Sequence, residues 1–390
     1  MLTKLLPHKR DRLILFPAIG SQLLVSTSLF LMPVLIDSLQ VKAGLSGRAA
    51  GFLLSMELVV SACTTLFLSA YFHAHSPRRW ALLGGLLAIS GTVLTFLSPL
   101  LPLLFAARLT AGIGAGIVGA EATSVLSRGI EREKLIAAVT IASIANAAIW
   151  LAILPYLIDT LGYRGPYACL LLINLSGTLL LRRLPSLSKR KGTKENPPQS
   201  PFNVAAVLVI VAIFLTQLGQ GAFWSLEETF GHRAGFSSYT IGMLLGGATL
   251  LLLLGAVGSA WASERFGRFS AMLILIGANA VSILLISTIA VHWVFVAANI
   301  LQSITNLSSV IYQLGLSASI DRTGRVIAAS TGLVTLGNGL GPSLSASLSG
   351  AFGPSSVGVV VLAFNAIALA LYCAVKLRDA EGHDLSASVT

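Results

Sequence analysis

Long apolar runs separated by short polar segments repeat along the whole chain. Each run has about twenty mostly apolar residues, the length that an α-helix needs to cross the hydrocarbon core of a bilayer. The pattern predicts an all-α polytopic membrane protein with twelve transmembrane helices, at residues 13–36, 49–72, 80–97, 100–126, 135–158, 167–181, 202–226, 239–262, 269–290, 293–316, 326–348 and 357–375. The boundary between the ninth and tenth helices rests on residues 291–293 alone.

The composition favours the same class of protein. Of the 390 residues 55% are hydrophobic and 11% are charged, whereas soluble domains carry roughly 25% charged residues. The net charge of +11 would suggest a nucleic-acid partner in a soluble protein. Here Lys and Arg form short clusters between apolar runs, so we expect a lipid bilayer as partner and no nucleic acid. The three cysteines lie far apart inside apolar runs, so neither a metal nor another cofactor is expected.

The distribution of basic residues predicts the orientation. With the N-terminus in the cytoplasm, 21 of the 26 Lys and Arg residues fall on the cytoplasmic side, four fall outside, and Arg108 falls within a helix. This bias predicts that both termini lie in the cytoplasm, and we expect a multi-pass protein of the inner (plasma) membrane. The basic segment 182–201 is predicted to be a cytoplasmic linker between an N-terminal six-helix bundle, 1–181, and a C-terminal one, 202–390.

Polar side chains recur at helical spacing inside several predicted helices. In the tenth helix, Asn299, Gln302, Asn306 and Gln313 fall within a stripe about 60° wide. Such stripes either join helices or line a water-filled cavity that binds a solute. The first interpretation is favoured for a single residue and the second for the recurring stripes. The candidate solute-binding residues are Gln22, Arg108, Asn146, Trp150, Gln217, Gln220, Trp224, Asn299, Gln302 and Asn306.

Two charged residues lie about two turns inside predicted helices, Glu57 in the second and Arg108 in the fourth. A lone charge is costly in hydrocarbon, so each is expected to have a partner or to face water, and the two could pair with each other. A group that couples transport to protons must change its charge near the cavity. Glu57 and Glu227, or its neighbour Glu228, are the candidates; the two residues of the seventh helix could instead be solvated acids at the outer mouth.

Several local motifs accompany this architecture. The loop between helices 8 and 9 contains Glu264-Arg265-Phe-Gly-Arg268, and Arg108 precedes a Gly-rich turn in helix 4. With these motifs the chain resembles the major facilitator superfamily. The resemblance implies two six-helix halves around a solute site near mid-bilayer, alternating access, and a role for Arg108 in proton coupling or substrate anchoring. The implied gating residues, which could instead only anchor the loops, are Arg78, Arg79, Glu121, Glu264, Arg265 and Arg268.

The sequence therefore predicts a monomeric secondary transporter, not an enzyme, that takes up a small polar or anionic solute together with protons. Proton-coupled efflux of drugs or metabolites is the alternative, although the fifth helix lacks the Gly-x-x-x-Gly-Pro pattern of such antiporters. A non-transporting membrane receptor or assembly protein with the same fold is the alternative of another class. An ATP-driven pump and a membrane-embedded enzyme are disfavoured, since no P-loop, zincin or nucleophile-elbow motif occurs.

Overall fold

A computed structural model describes residues 8–41, 43–71, 77–97, 100–126, 130, 132–184, 203–320 and 325–387. These residues form fourteen helices and, within those ranges, no strand. The helices are α1 (Lys9–Phe30), α2 (Met32–Val41), α3 (Gly47–Tyr71), α4 (Pro77–Leu97), α5 (Leu101–Leu126), α6 (Arg132–Leu161), α7 (Arg164–Leu181), α8 (Val204–Ser225), α9 (Glu227–Arg233), α10 (Ser238–Phe266), α11 (Arg268–Thr288), α12 (His292–Ile320), α13 (Arg325–Phe352) and α14 (Ser355–Ala387).

Eleven of these helices are long and apolar enough to span a membrane. Helix α13 also has the length, at 28 residues, but its many Gly, Ser and Thr residues make it less apolar. It packs between α3 and α8, where a helix needs close contacts with its neighbours more than an apolar surface towards lipid. With α13 counted, the predicted all-α fold with twelve crossing segments is confirmed.

One predicted helix is interrupted, and the expectation of a continuous helix at 13–36 is wrong in this detail. The first breaks at Leu31, between α1 and α2. Pro33 has no N–H to donate to the carbonyl of Leu29 four residues earlier, so the regular hydrogen-bond ladder fails at this point. The seventh ends at Ser225, and after Leu226 the chain continues as the seven-residue α9, outside the membrane-spanning segments.

Two helix pairs join the first six crossing segments to the last six: α3 with α13, and α6 with α10. Glycines allow their backbones to approach closely. A Cβ atom at Gly51 would lie 2.7 Å from the carbonyl oxygen of Pro342, and one at Gly242 would lie 2.6 Å from that of Leu151.

We call the end of the bundle where α7 ends and α8 begins the linker end, and the end that carries α2 and α9 the far end.

The predicted division into two bundles and a linker stays a prediction. The linker lies outside the described residues from position 185 to 201.

Candidate functional site

Arg108 lies in a fully enclosed cluster inside the first six crossing segments. Its side chain has no exposed surface. Its NH1 forms an ion pair with Glu57 Oε2 at 3.2 Å, its Nε donates to Thr95 Oγ1 at 3.0 Å, and its NH2 donates to the carbonyl of Gly91 at 3.1 Å. The guanidinium also lies 5.1 Å from the centre of the Tyr167 ring. The pairing of Arg108 with Glu57 that the sequence suggested is therefore present.

A glycine next to this ion pair holds α3 and α5 together. A Cβ atom at Gly112, one turn from Arg108, would lie 2.5 Å from the carbonyl oxygen of Glu57. Only a residue without a side chain allows the backbones to come this close. Glu57 also accepts a hydrogen bond at Oε1 from Ser28 of α1, at 3.0 Å. The pair is thus connected to the first helix as well as to α4 and α7.

A cavity of about 90 Å³ lies near the middle of the bundle, between the two groups of six segments. Its lining comes from five helices and consists mainly of amides, hydroxyls and aromatic or aliphatic carbon, with no ionisable residue among the lining residues. These residues are Leu29, Phe30, Gln220, Trp224, Thr249, Leu252, Gln302, Ser303, Asn306 and Asn338. Such a lining suits a ligand that forms hydrogen bonds and presents a flat or apolar face.

Two amides in this cavity each keep a polar atom free of hydrogen bonds. Gln220 Oε1 and Gln302 Nε2 are buried, and neither has a hydrogen-bond partner among the described residues. Burial of an unpaired amide group costs free energy, roughly 1–3 kcal/mol. The two side chains come from α8 and α12, so a ligand between them could satisfy both groups at once.

Trp224 forms part of the cavity wall and also connects the two groups of segments. Its Nε1–H donates to the carbonyl of Leu29, at 2.9 Å. That carbonyl is the one that Pro33 leaves without its usual helical donor. The break between α1 and α2 therefore creates the acceptor for a hydrogen bond near the far end.

Four of the ten predicted solute-binding residues line this cavity: Gln220, Trp224, Gln302 and Asn306. Of the other six, Gln217 accepts a hydrogen bond from Asn338, and Asn299 donates to the carbonyl of Phe295 in its own helix. Asn146 donates to Thr27 at 3.4 Å, and thus joins α6 to α1. Gln22 and Trp150 are half-buried outside the lining, and Arg108 lies in the separate cluster.

Sequence reasoning missed three polar residues of the cavity wall, namely Thr249, Ser303 and Asn338. Asn338 belongs to a polar stripe of α13 that is visible in the sequence, together with Thr331, Thr335 and Ser345. Thr249 is a single hydroxyl before a run of leucines in α10, and its own helix carbonyl at Leu245 accepts its hydrogen bond. No periodic signal marks such a residue.

Glu227 and Glu228 are both buried in α9, so the alternative that they are solvated acids is wrong. Neither oxygen of Glu227 has a hydrogen-bond partner among the described residues, and burial raises its pKa. Burial, together with the nearby Asp37 carboxylate, raises the pKa of Glu228 to about 8. Neither glutamate lines the central cavity.

The predicted gating residues lie at the linker end. Arg78, Arg79, Glu264, Arg265 and Arg268 are exposed, and none of these five forms an ion pair with a described residue. Glu121 is half-buried in the last turns of α5. Their role in gating stays a prediction.

Comparison with known proteins indicates the family and the fold. A family model described as Major Facilitator Superfamily matches residues 18–211 and again residues 209–388. A bacterial homologue of the human lysosomal transporter Spinster, in an inward-facing conformation, is similar with a TM-score of 0.73 and 14% identity over 94% of this chain and 96% of that one. The nucleoside transporter NupG has a TM-score of 0.69 and 13% identity over 94% and 99%.

A bacterial homologue of the iron transporter ferroportin, also inward-facing, has a TM-score of 0.68 and 16% identity over 93% and 98% of the two chains. At such identities the likeness shows the fold alone. No curated protein sequence matches the chain.

Proposed function

This chain belongs to the major facilitator superfamily, and we propose that it is a secondary transporter that moves a small, uncharged polar solute across a membrane by alternating access. The observation that carries the proposal is the pair of unpartnered amide atoms on Gln220 and Gln302, two residues that line one cavity together with Trp224. The basic bias of the sequence favours both termini in the cytoplasm, and an inner (plasma) membrane location and a monomer are further parts of the proposal.

The uncharged character of the solute follows from what the cavity wall lacks. An anionic solute was expected on account of Arg108, but the donors of that guanidinium are directed to Glu57, Thr95 and Gly91. Transfer of an ion from water into a lining of neutral amides would cost far more than transfer of a neutral polar molecule. A nucleoside, the solute in the name of NupG, is one compound of the favoured class.

Proton coupling is a further part of the proposal, and Glu57 is the residue that we assign to it. Its carboxylate faces two titratable groups, Arg108 on α5 and Tyr167 on α7, and it accepts the Ser28 hydroxyl. Ser28 directly precedes Leu29 and Phe30, which line the cavity. A proton on Glu57 would remove the charge that holds Arg108 and would therefore alter the turn of α1 that contacts the solute site. Glu227, the other acid considered for coupling, lies outside the cavity wall. Its role in proton coupling stays a prediction.

The solute class can be tested with purified protein. Thermal unfolding is measured with a panel of nucleosides, sugars and neutral amides and with a matched panel of organic acids, since a ligand of the folded state raises the melting temperature. We expect stabilisation by a member of the neutral panel, and uptake of that compound into proteoliposomes. Gln220→Leu and Gln302→Leu should each weaken its binding by about 10-fold, the effect of one lost hydrogen bond of ~1.4 kcal/mol.

Gln22→Leu is the matched control, because Gln22 is a half-buried glutamine of α1 outside the cavity lining. Binding restricted to organic acids, or equal weakening in Gln22→Leu, would contradict the assignment of the site. Binding without flux would favour the alternative of a receptor. Export of toxic compounds in exchange for protons would favour the efflux antiporter.

Coupling is tested separately, with proteoliposomes that contain the identified solute. A proton gradient should drive accumulation by the parent protein. Glu57→Gln should abolish the response to the gradient but retain exchange of labelled for unlabelled solute, which requires no net proton movement. Accumulation that ignores the gradient in the parent protein would indicate a uniporter.

A further inference from the structure

Three side chains that commonly bind metals meet at the far end of the bundle: Asp37 of α2, and Glu228 and His232 of α9. One oxygen or nitrogen atom from each residue lies within 4.8 Å of the other two. Glu228 and His232 are four residues apart and so share a helix face, which places Glu228 Oε1 3.8 Å from His232 Nε2. Asp37 approaches from the other group of six segments.

The imidazole of His232 is oriented as in many metal sites. Its Nδ1 lies 3.2 Å from the carbonyl oxygen of Phe236, to which an Nδ1–H donates. This hydrogen bond leaves the lone pair on Nε2, the atom that faces the two carboxylates. A histidine that binds a metal almost always donates its other ring N–H to a carbonyl or carboxylate in this way. Ser238 Oγ lies 3.3 Å from the same Nε2 and brings a hydroxyl to the edge of the cluster.

The carboxylate of Glu228 is an independent indication of a bound cation. Glu228 is only 2% exposed, and its Oε2 has no hydrogen-bond partner among the described residues. The neighbouring Arg233 does not compensate for it, because its NH1 donates to the Ser287 carbonyl and to Ser355. A divalent cation at this point would provide a partner for the buried Glu228 carboxylate.

We propose that Asp37, Glu228 and His232 bind one divalent first-row transition-metal ion, for which Zn²⁺ is a suitable probe. One imidazole and two carboxylates are a ligand set that Zn²⁺ accepts, with a further position for water. Metal–ligand bonds of 2.0–2.2 Å place neighbouring ligand atoms roughly 3.3–3.6 Å apart in a tetrahedral site. Side-chain adjustment would have to shorten the 3.8 Å between Glu228 Oε1 and His232 Nε2, and the separations of up to 4.8 Å within the cluster, to these values.

The location of the site gives the ion a regulatory effect. Asp37 lies in the first six segments, whereas Glu228 and His232 lie in the last six, so the bound ion joins the two halves at the far end. An ion that binds only the conformation with these residues together stabilises that conformation by mass action. Alternating access requires the far end to open, so the ion acts as an inhibitor that is applied from this side of the membrane.

The binding test uses the full chain, purified with a tag that contains no histidine and treated with a chelator. Titration with ZnCl₂ by calorimetry should give one ion per chain. His232→Gln, Glu228→Gln and Asp37→Asn should each weaken the binding at least 10-fold. Asp159→Asn and His8→Gln are the controls, because both residues are exposed and lie outside the cluster. The side chain of His232 is 38% exposed, so we expect His232→Gln to fold. This variant therefore tests the site even if a substitution of the buried Glu228 prevents folding.

A second measurement tests whether the ion joins the halves. Spin labels at Leu161→Cys of α6 and Phe352→Cys of α13 report the separation of the two halves at the far end, in a background without Cys63, Cys169 and Cys373. Zn²⁺ should narrow the distance distribution in the parent background and leave it unchanged with His232→Gln. Absence of saturable binding, or equal affinity in the cluster variants and the controls, would overturn the proposed site. Loss of binding in the α9 variants with full binding in Asp37→Asn would overturn the bridging role.

Discussion

Trp224→Phe tests whether one hydrogen bond keeps the far end closed. In the present conformation the indole N–H donates to the carbonyl of Leu29, which Pro33 leaves without its helical donor. Phenylalanine keeps an aromatic ring against the cavity but has no N–H. The Leu29 carbonyl, which lies in a part-buried position, would then lose this donor whenever the far end is closed, whereas water can reach it when that end opens.

The magnitude follows from the loss of one hydrogen bond in a part-buried position. This loss is about 0.5–1.5 kcal/mol, and it applies to the closed conformation alone. The ratio of open to closed molecules should therefore rise by roughly 2- to 13-fold. If the open form is about 1% populated in the parent protein, the substitution would raise it to between about 2% and about 12%.

The measurement is the distance between spin labels at Leu161→Cys and Phe352→Cys, which are 47% and 77% exposed in the native chain and so tolerate a label. Trp224→Phe should add a population at longer distance. Trp261→Phe is the matched control, since Trp261 is 62% exposed, lies near the linker end of α10 and has no part in the cavity. An unchanged distance distribution in Trp224→Phe, with the protein still folded, would refute the role given to this hydrogen bond.

Two further predictions concern the Arg108 cluster. Gly112→Ala should destabilise the protein by about 1–3 kcal/mol, because the new Cβ would lie 2.5 Å from the Glu57 carbonyl oxygen. The measurement is thermal unfolding. Gly258→Ala is the control, because a Cβ atom at Gly258 would have no neighbouring atom within 4 Å. Arg108→Ala should destabilise it by about 3–5 kcal/mol, since the Glu57 carboxylate would remain buried without its partner. Addition of Glu57→Gln to Arg108→Ala should restore part of the loss, and equal stability of the single and double variants would contradict a charge-based effect.

The fold could be predicted from the sequence because membrane helices depend on a local property. About twenty apolar residues suffice to specify a crossing helix in a bilayer, and short segments with polar residues, Gly or Pro separate most helices from the next. Helix α13 was predicted on the same grounds although its Gly- and Ser-rich composition makes it the least apolar of the twelve. The break at Leu31 was missed because proline is tolerated in many membrane helices, and its effect depends on whether another group satisfies the carbonyl.

The site was predictable only in part, because a helical stripe gives a direction and not a neighbour. The stripes of α8 and α12 correctly placed Gln220, Trp224, Gln302 and Asn306 on the faces that meet at the cavity. Arg108 has the same signature in the sequence, yet its face meets Glu57, Thr95 and Tyr167. Which helix lies opposite a given face is decided by tertiary packing, which periodicity does not report.

Three consecutive residues at the end of α1 connect features that are far apart in the sequence. Ser28 donates to Glu57, Leu29 accepts from Trp224, and Phe30 lines the cavity. Because the hydrogen-bond ladder of α1 ends at this turn, its displacement disrupts few backbone bonds. Any displacement of the turn alters the ion-pair cluster, the contact between the halves and the cavity wall together. A charge change at Glu57 and an occupied cavity would thus affect the same turn, which is the physical requirement for coupling between them.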